Sequence, residues 1–398
     1  MDVIEFIFQV WKARESLSLS PYLYTNRGRL NYASKLKIFS NCLLEMNCCQ
    51  QWKTATSMVA INFAMAITNV LIKKILDDGV SHAIILMYRQ AISAAFLAPI
   101  AYFWERKSRP KLRARILCQL FFNALIGVTL CQYLFLLGLK FTSATFSCAF
   151  LNMVPAITFM LALPFGLEKV NLRNKAGIAK VAGTLVCIGG AMVLTLYKGK
   201  TLVGSDSGAA VHAVNYANTL VATKNKKERW AIGSIFLAAG TVFWSSWFLW
   251  QARIGQTFPC QYSSTAILSF FSAIQSAIIS LITERDFTRW ILNEKLELIT
   301  VAYVGMVGSG LCYVGMSWCV KQKGPVFTSA FTPLVQIFVA IFDFSILHGQ
   351  IYFGSVIGSV LVIIGLYILL WGKNREAEET QQLKQPQIEE DCNARPQV

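Results

Sequence analysis

Long apolar runs, broken by short polar stretches that carry most of the charge, recur along the chain from about residue 52. Each run approaches the ~20 residues a helix needs to cross ~30 Å of hydrocarbon. The pattern predicts spans at 56–72, 83–104, 115–138, 142–164 and 177–197. Beyond a polar interval it predicts spans at 231–251, 263–283, 298–320, 325–347 and 353–371. The organisation expected is a tail at 1–51, a five-span unit at 52–197, a linker at 198–230, a second five-span unit at 231–373 and a tail at 374–398. The first tail holds no apolar run long enough for a span or a signal peptide. It reads as disordered or as an extension ahead of a natural start at Met46. The linker, with its basic run at 224–229, is expected to be flexible, and the acidic, Gln-rich second tail to be disordered.

The two units repeat one another. Gly127, Leu130, Cys131 and Lys140 recur as Gly308, Leu311, Cys312 and Lys321 at one offset (311 − 130 = 181). Phe146, Ala149, Phe150 and Val154 recur as Phe327, Ala330, Phe331 and Val335 at the same offset, and Gly183 and Gly190 return as Gly358 and Gly365. Five spans is an odd number, so the second unit must enter the membrane the opposite way up. An inverted repeat offers two mirror-related conformations, open to one side or the other, which is the structural basis of alternating access. The fold class expected is therefore an all-α integral membrane protein of ten helices in two inverted five-helix halves.

Composition agrees. Hydrophobic residues make up 55% and charged residues 15% of the 398, against about 25% charged in soluble domains, and the mean hydropathy is +0.49. The net charge of +16 lies mostly in loops and tails, where it sets topology and meets anionic headgroups instead of forming a basic face for nucleic acid. Lys35, Lys37, Lys53, Lys373 and Arg375 tip both termini to the cytoplasmic side. Cys118, Cys131, Cys148, Cys187, Cys312 and Cys319 fall inside apolar runs with no metal or disulfide spacing, as small hydrophobes do. The stretch Lys198-Gly199-Lys200-Thr201 ends like a phosphate-binding loop, but Leu194 replaces its first glycine. Hydrolase and metalloprotease motifs are absent from the sequence, so no enzyme activity, cofactor or metal is expected.

Candidate site residues are the polar groups inside spans. A charge at mid-bilayer costs about 2.5–3.5 kcal/mol on insertion scales, which makes Arg89 a suspect for binding a carboxylate, with snorkelling to the interface as its plain alternative. Asp343 and Glu168 could carry a coupling proton, although Glu168 also suits a helix-end role. Asn62 and Asn69 lie seven apart on one helical face. Tyr88, Gln132, Asn152, Trp244, Trp247, Gln275 and Gln336 could face a cavity, with Tyr133 and Gln251 beside them, and Pro155 and Pro333 would free carbonyls to line it. Any one of these polar residues could equally be glue between helices.

The run from Gly138 to Phe159 resembles the plant EamA-domain transporters. So do Glu168-Lys169-Val170-Asn171-Leu172, the segment from Gly183 to Met192, Lys323-Gly324-Pro325-Val326-Phe327, and Gly354 to Gly358 with Leu370-Trp371-Gly372-Lys373. The group is the "walls are thin"-related or nodulin-like (UMAMIT) branch of the drug/metabolite transporters. The resemblance covers about 52–373 and implies two EamA repeats of five helices. It implies carriage of small organic solutes, usually amino acids and in some members auxin or related indoles, at the plasma membrane or the vacuolar membrane. The partners implied are the lipid bilayer, a small solute and, as one option, a second copy of the chain, with no nucleic acid. A nucleotide-sugar or other metabolite carrier of the same superfamily, or a transport-incompetent sensor or scaffold, are the rival readings. The chain departs from the group at Leu347-His348-Gly349-Gln350, where the family usually reads Leu-Gly-Glu, and at Asp343, usually apolar or small there.

Overall fold

The computed structural model describes residues 32–77, 80–107, 110, 112–142, 147, 150–168, 174–197, 201–203, 219–283, 290, 294–347 and 351–393. The chain divides at Trp52–Lys53. In the unit Met1–Trp52 the described residues are helical, and everything below concerns the unit from Lys53.

Helix α1 (Lys53–Leu76) crosses first, followed by α2 (His82–Glu105). Helix α3 is continuous from Ala114 to Phe141 but changes pitch in its middle: Ala124–Leu130 is a π segment between two α-helical pieces. Helix α4 (Val154–Ala162) follows a break at Met153 and α5 is Lys175–Leu196. The second half brings α6 (Thr219–Thr257) and α7 (Gln261–Thr283). Helix α8 (Lys295–Lys323) has its own π segment, Val304–Leu311. Helix α9 is broken into Pro325–Ala330 and Leu334–Leu347, and α10 is Phe353–Asn393. Among the described residues nine helices are long and apolar enough to span a membrane. The fourth, expected over 142–164, shows only the shorter apolar stretch Phe150–Ala162.

The repeat is written into the packing. Both π segments carry the repeated glycine, and the space is filled from the other half. A Cβ on Gly127 would come within 2.8 Å of Trp247 of α6, and one on Gly308 within 2.8 Å of Thr68 of α1. The Cys131 thiol donates to the Gly240 carbonyl at 3.3 Å, as the Cys312 thiol does to the Ile61 carbonyl at 3.9 Å. These partners share one offset (247 − 68 = 179; 240 − 61 = 179). The first helix of each half thus packs on the third helix of the other.

Helices α2 and α7 run antiparallel, joined by Ser93–Ser269 at 3.0 Å, and the Glu105 carboxylate accepts from the backbone N–H groups of Tyr262 and Ser263 at 3.1 and 2.7 Å. Those N–H groups open α7, where a carboxylate also meets the positive end of the helix dipole. Helices α5 and α10 meet through glycines: a Cβ on Gly183 would stand 2.5 Å from the Leu369 nitrogen, and one on Gly190 2.6 Å from the Leu361 Cβ. Small residues let backbones approach where lipid removes any hydrophobic drive between helices. Outward-facing apolar side chains such as Phe103, Ile282, Tyr367 and Ile299 are largely exposed, as a bilayer-facing surface requires.

The polar ends differ from expectation. The interval 198–230 contributes a short strand, Thr201–Val203, paired antiparallel with Ile351–Tyr352, and the first turns of α6. The acidic tail continues α10 as helix to Asn393, since its Glu, Gln, Lys and Ala residues are good helix formers.

Candidate solute site between the repeats

The centre of the molecule can be located from the offset itself. Gln132 and Tyr313 occupy the same repeat position (132 + 181 = 313), and the Gln132 amide donates to the Tyr313 hydroxyl at 3.2 Å. A bond between equivalent residues lies on the pseudo-two-fold axis that relates the halves. Around Tyr313 the rings of Trp244 and Trp247 stack 5.4 Å apart at 8°, and Tyr313 lies 5.5 Å from Trp247 and 6.0 Å from Trp244. Trp247 reaches this place because α6 leans on the glycine of the α3 π segment.

Arg89 of α2 reaches the same region. Its Nε donates to the Ser309 hydroxyl at 2.7 Å, and Ser309 stands four residues before Tyr313 on α8. No carboxylate pairs with Arg89 among the described residues. A small groove of about 10 Å³ between α2, α3 and α7, room for about one water, is lined by Leu86, Gln132, Tyr133, Ser276 and Ser280 among others.

The other candidates are placed elsewhere. Gln275 accepts from Thr129 at 2.9 Å and donates to the Phe121 carbonyl at 3.3 Å, tying α7 to α3. Gln251 bridges Asn123 and Ser317 at 3.3 and 2.8 Å, and so joins α6 to α3 and α8. Tyr88 donates to the Trp290 carbonyl at 2.9 Å. Asn62 turns back on its own helix, donating to the Met58 carbonyl. Asn69 is exposed, whereas the spacing had put it on the inward face; Thr68 is the residue that turns in, against Gly308. Asn152 donates to Gln336 at 3.0 Å and to the Ala191 carbonyl at 3.1 Å, joining the two broken helices. Pro155 opens the α4 segment, and Pro333 ends the break in α9. The repeat mates of Asn152 and Gln336 are these prolines (152 + 181 = 333; 336 − 181 = 155).

Glu168 is buried at one end of the bundle. Its two oxygens take Lys180 of α5 and Lys373 of α10, each at 3.0 Å, and Lys180 also meets Glu376 at 2.7 Å. The backbone of Asp343 belongs to α9, but its side chain, like His348 and Gln350, lies outside the described residues. No cluster of His, Cys, Asp or Glu able to hold a metal occurs among the described residues.

Gln132, Arg89, Trp244 and Trp247 are therefore brought to one locality, with Tyr133 at its approach. Tyr313 and Ser309 complete it and were not singled out from the sequence. The signal for Tyr313 was present: it is the repeat mate of Gln132.

Two inverted sets of membrane helices, with a cation and an aromatic cluster where the sets meet, have the build of a membrane carrier. The chain belongs to the EamA-like transporter family, whose pattern it matches over residues 52–196 and 231–371. It is 51% identical to the WAT1-related protein At3g30340 of Arabidopsis thaliana, over 84% of this chain and 91% of that protein. It is 52% identical to the WAT1-related protein At4g01440 of the same plant, over 85% and 92% of the two chains, and 47% identical to At4g01450, over 84% and 91%. A solved protein structure with 14% sequence identity superposes with a TM-score of 0.58, covering 79% of this chain and 98% of that one, and shares the fold. The protein is thus an integral multi-pass membrane transporter of the WAT1-related type.

Proposed function

We propose that this transporter moves small organic solutes, amino acids or auxin and related indole acids, by secondary transport with alternating access, at the plasma membrane or the vacuolar membrane. The observation that carries the reading is the pseudo-two-fold contact of Gln132 with Tyr313, with Arg89 and the stacked tryptophans beside it. A guanidinium without a protein carboxylate suits a solute carboxylate, and indole walls suit an aromatic or amphiphilic body. Asp343 is the candidate for a coupling proton. Glu168, with both oxygens engaged by ammonium groups, fits a structural tie between helix ends better.

Flux of a labelled amino-acid and indole-acid panel in proteoliposomes tests the reading. Saturable uptake of at least one member is expected; no flux of any member, with insertion confirmed, overturns it. Arg89→Gln is expected to weaken transport of the anionic or zwitterionic member at least about tenfold, the worth of a charged hydrogen bond, and an unchanged KM would dismiss the carboxylate role.

A further inference from the structure

The hydrogen bonds around the pseudo-two-fold axis leave a one-sided remainder. Gln132 donates to the Tyr313 hydroxyl, so that oxygen is already serving as acceptor, and the hydroxyl proton has no acceptor of its own among the described residues. Arg89 spends only Nε on Ser309; its two terminal nitrogens have no acceptor either. Ser309 and Tyr313, four apart on α8, lie on one face of that helix about a turn from each other, so the Arg89 held by Ser309 stands on the face that carries Tyr313. Tyr313 is only 1% exposed, so water does not replace the missing acceptor of its hydroxyl, and Arg89 beside it is half-buried. A positive charge with free donors beside a buried hydroxyl suits an anion.

Gln132 faces two ways, because it also lines the groove between α2, α3 and α7. In the same groove Ser276 is buried with its hydroxyl unpartnered. A solute that reaches the Tyr313 hydroxyl must displace the Gln132 amide that holds it.

We propose that Tyr313 and Arg89 form an oxyanion subsite on the pseudo-two-fold axis, latched by Gln132, that takes the carboxylate of a monoanionic solute and rejects the matching neutral amide. The discrimination lies in the charge and the donors: a carboxylate accepts from both and pairs with the guanidinium, whereas a neutral amide offers one acceptor and no charge. The inference rests on the transporter reading above, and adds Tyr313 as the residue that sets charge selectivity and Gln132 as the one that gates it.

Binding is read without transport, from tryptophan fluorescence of the full-length protein in nanodiscs, since Trp244 and Trp247 flank Tyr313. Benzoate and benzamide are the probes. The wild type is expected to prefer benzoate at least about tenfold, the scale of one hydrogen bond to a charged group. Tyr313→Phe, which keeps the ring and its packing, should cut that preference about tenfold while leaving benzamide unchanged. Arg89→Gln should abolish it. Gln132→Leu should keep the preference and tighten benzoate binding, because no latch has to be displaced. Equal affinities for the two probes, or a preference untouched in Tyr313→Phe, would overturn the subsite. Benzoate binding without flux of any solute would leave the subsite standing and sink the transporter reading; flux without benzoate selectivity would do the reverse.

Discussion

Glu168 shows how a single residue can hold three helices. Its carboxylate is shared by Lys180 and Lys373, and Lys180 is 1% exposed at the side chain. Desolvated charges of this kind contribute little net stability as a set, but removing one member leaves the rest uncompensated, at about 3–5 kcal/mol. Glu168→Gln is therefore expected to lower the unfolding temperature in detergent strongly. Glu376→Gln removes a partner that is 39% exposed and should cost about 1 kcal/mol or less. A smaller loss for Glu168→Gln than for Glu376→Gln would contradict this assignment. The sequence marks Glu168 as a charge at a span end, yet its partners are 12 and 205 residues away, and nothing local points to them. Arg89, Gln132, Trp244 and Trp247 were legible because polar and aromatic groups are conspicuous against apolar runs. Tyr313 was not, since a tyrosine in an aromatic-rich span looks like packing until the repeat offset pairs it with Gln132.

At the scale of elements, glycine decides how closely helices approach. Gly183 is buried against the α10 backbone, whereas a Cβ on Gly189, one face away, would meet nothing within 4 Å. Gly183→Val is expected to destabilise by about 1–3 kcal/mol or more, the range for overpacking, and Gly189→Ala to be neutral within about 0.5 kcal/mol. Thermal unfolding of the two variants side by side checks the pair, and equal losses would refute the α5–α10 register. The glycine pairs were readable from the repeat. The π segments were not, for a specific reason: a widened turn shifts the register by one residue, but both halves carry it, so the 181-residue offset is the same with or without it. The breaks before Val154 and Leu334 were signalled by Pro155 and Pro333, but not their extent, which depends on what the freed backbone meets. The helical extension of α10 was missed because composition reports whether a segment can bury a core, not whether it can continue a helix already begun.

For the whole molecule, ten spans and their inversion follow from hydropathy and parity, while orientation rests on a modest excess of Lys and Arg. Lys107, after α2, and Thr283, closing α7, are both exposed and belong to opposite faces, because the two helices are antiparallel. With both termini cytoplasmic, Lys107→Cys should react with an impermeant maleimide only from the cytoplasmic side and Thr283→Cys only from the other. The reverse pattern would invert the topology.

The two amides at the helix breaks carry a consequence for the rhythm of the cycle. When an inverted pair of repeats exchanges roles, each contact is handed to its repeat mates, and the hydrogen bond of Asn152 with Gln336 passes to Pro333 and Pro155, whose side chains cannot make one. In the alternating access proposed above, one pose of the empty carrier would be stitched and its mirror image would not, a bias of about 1 kcal/mol or roughly fivefold in occupancy. Such an unladen carrier would rest facing one side, with its return leg the slow one. Solute waiting on the far side should then accelerate efflux from the near side, and Gln336→Leu, by removing the stitch, should bring that acceleration down toward unity.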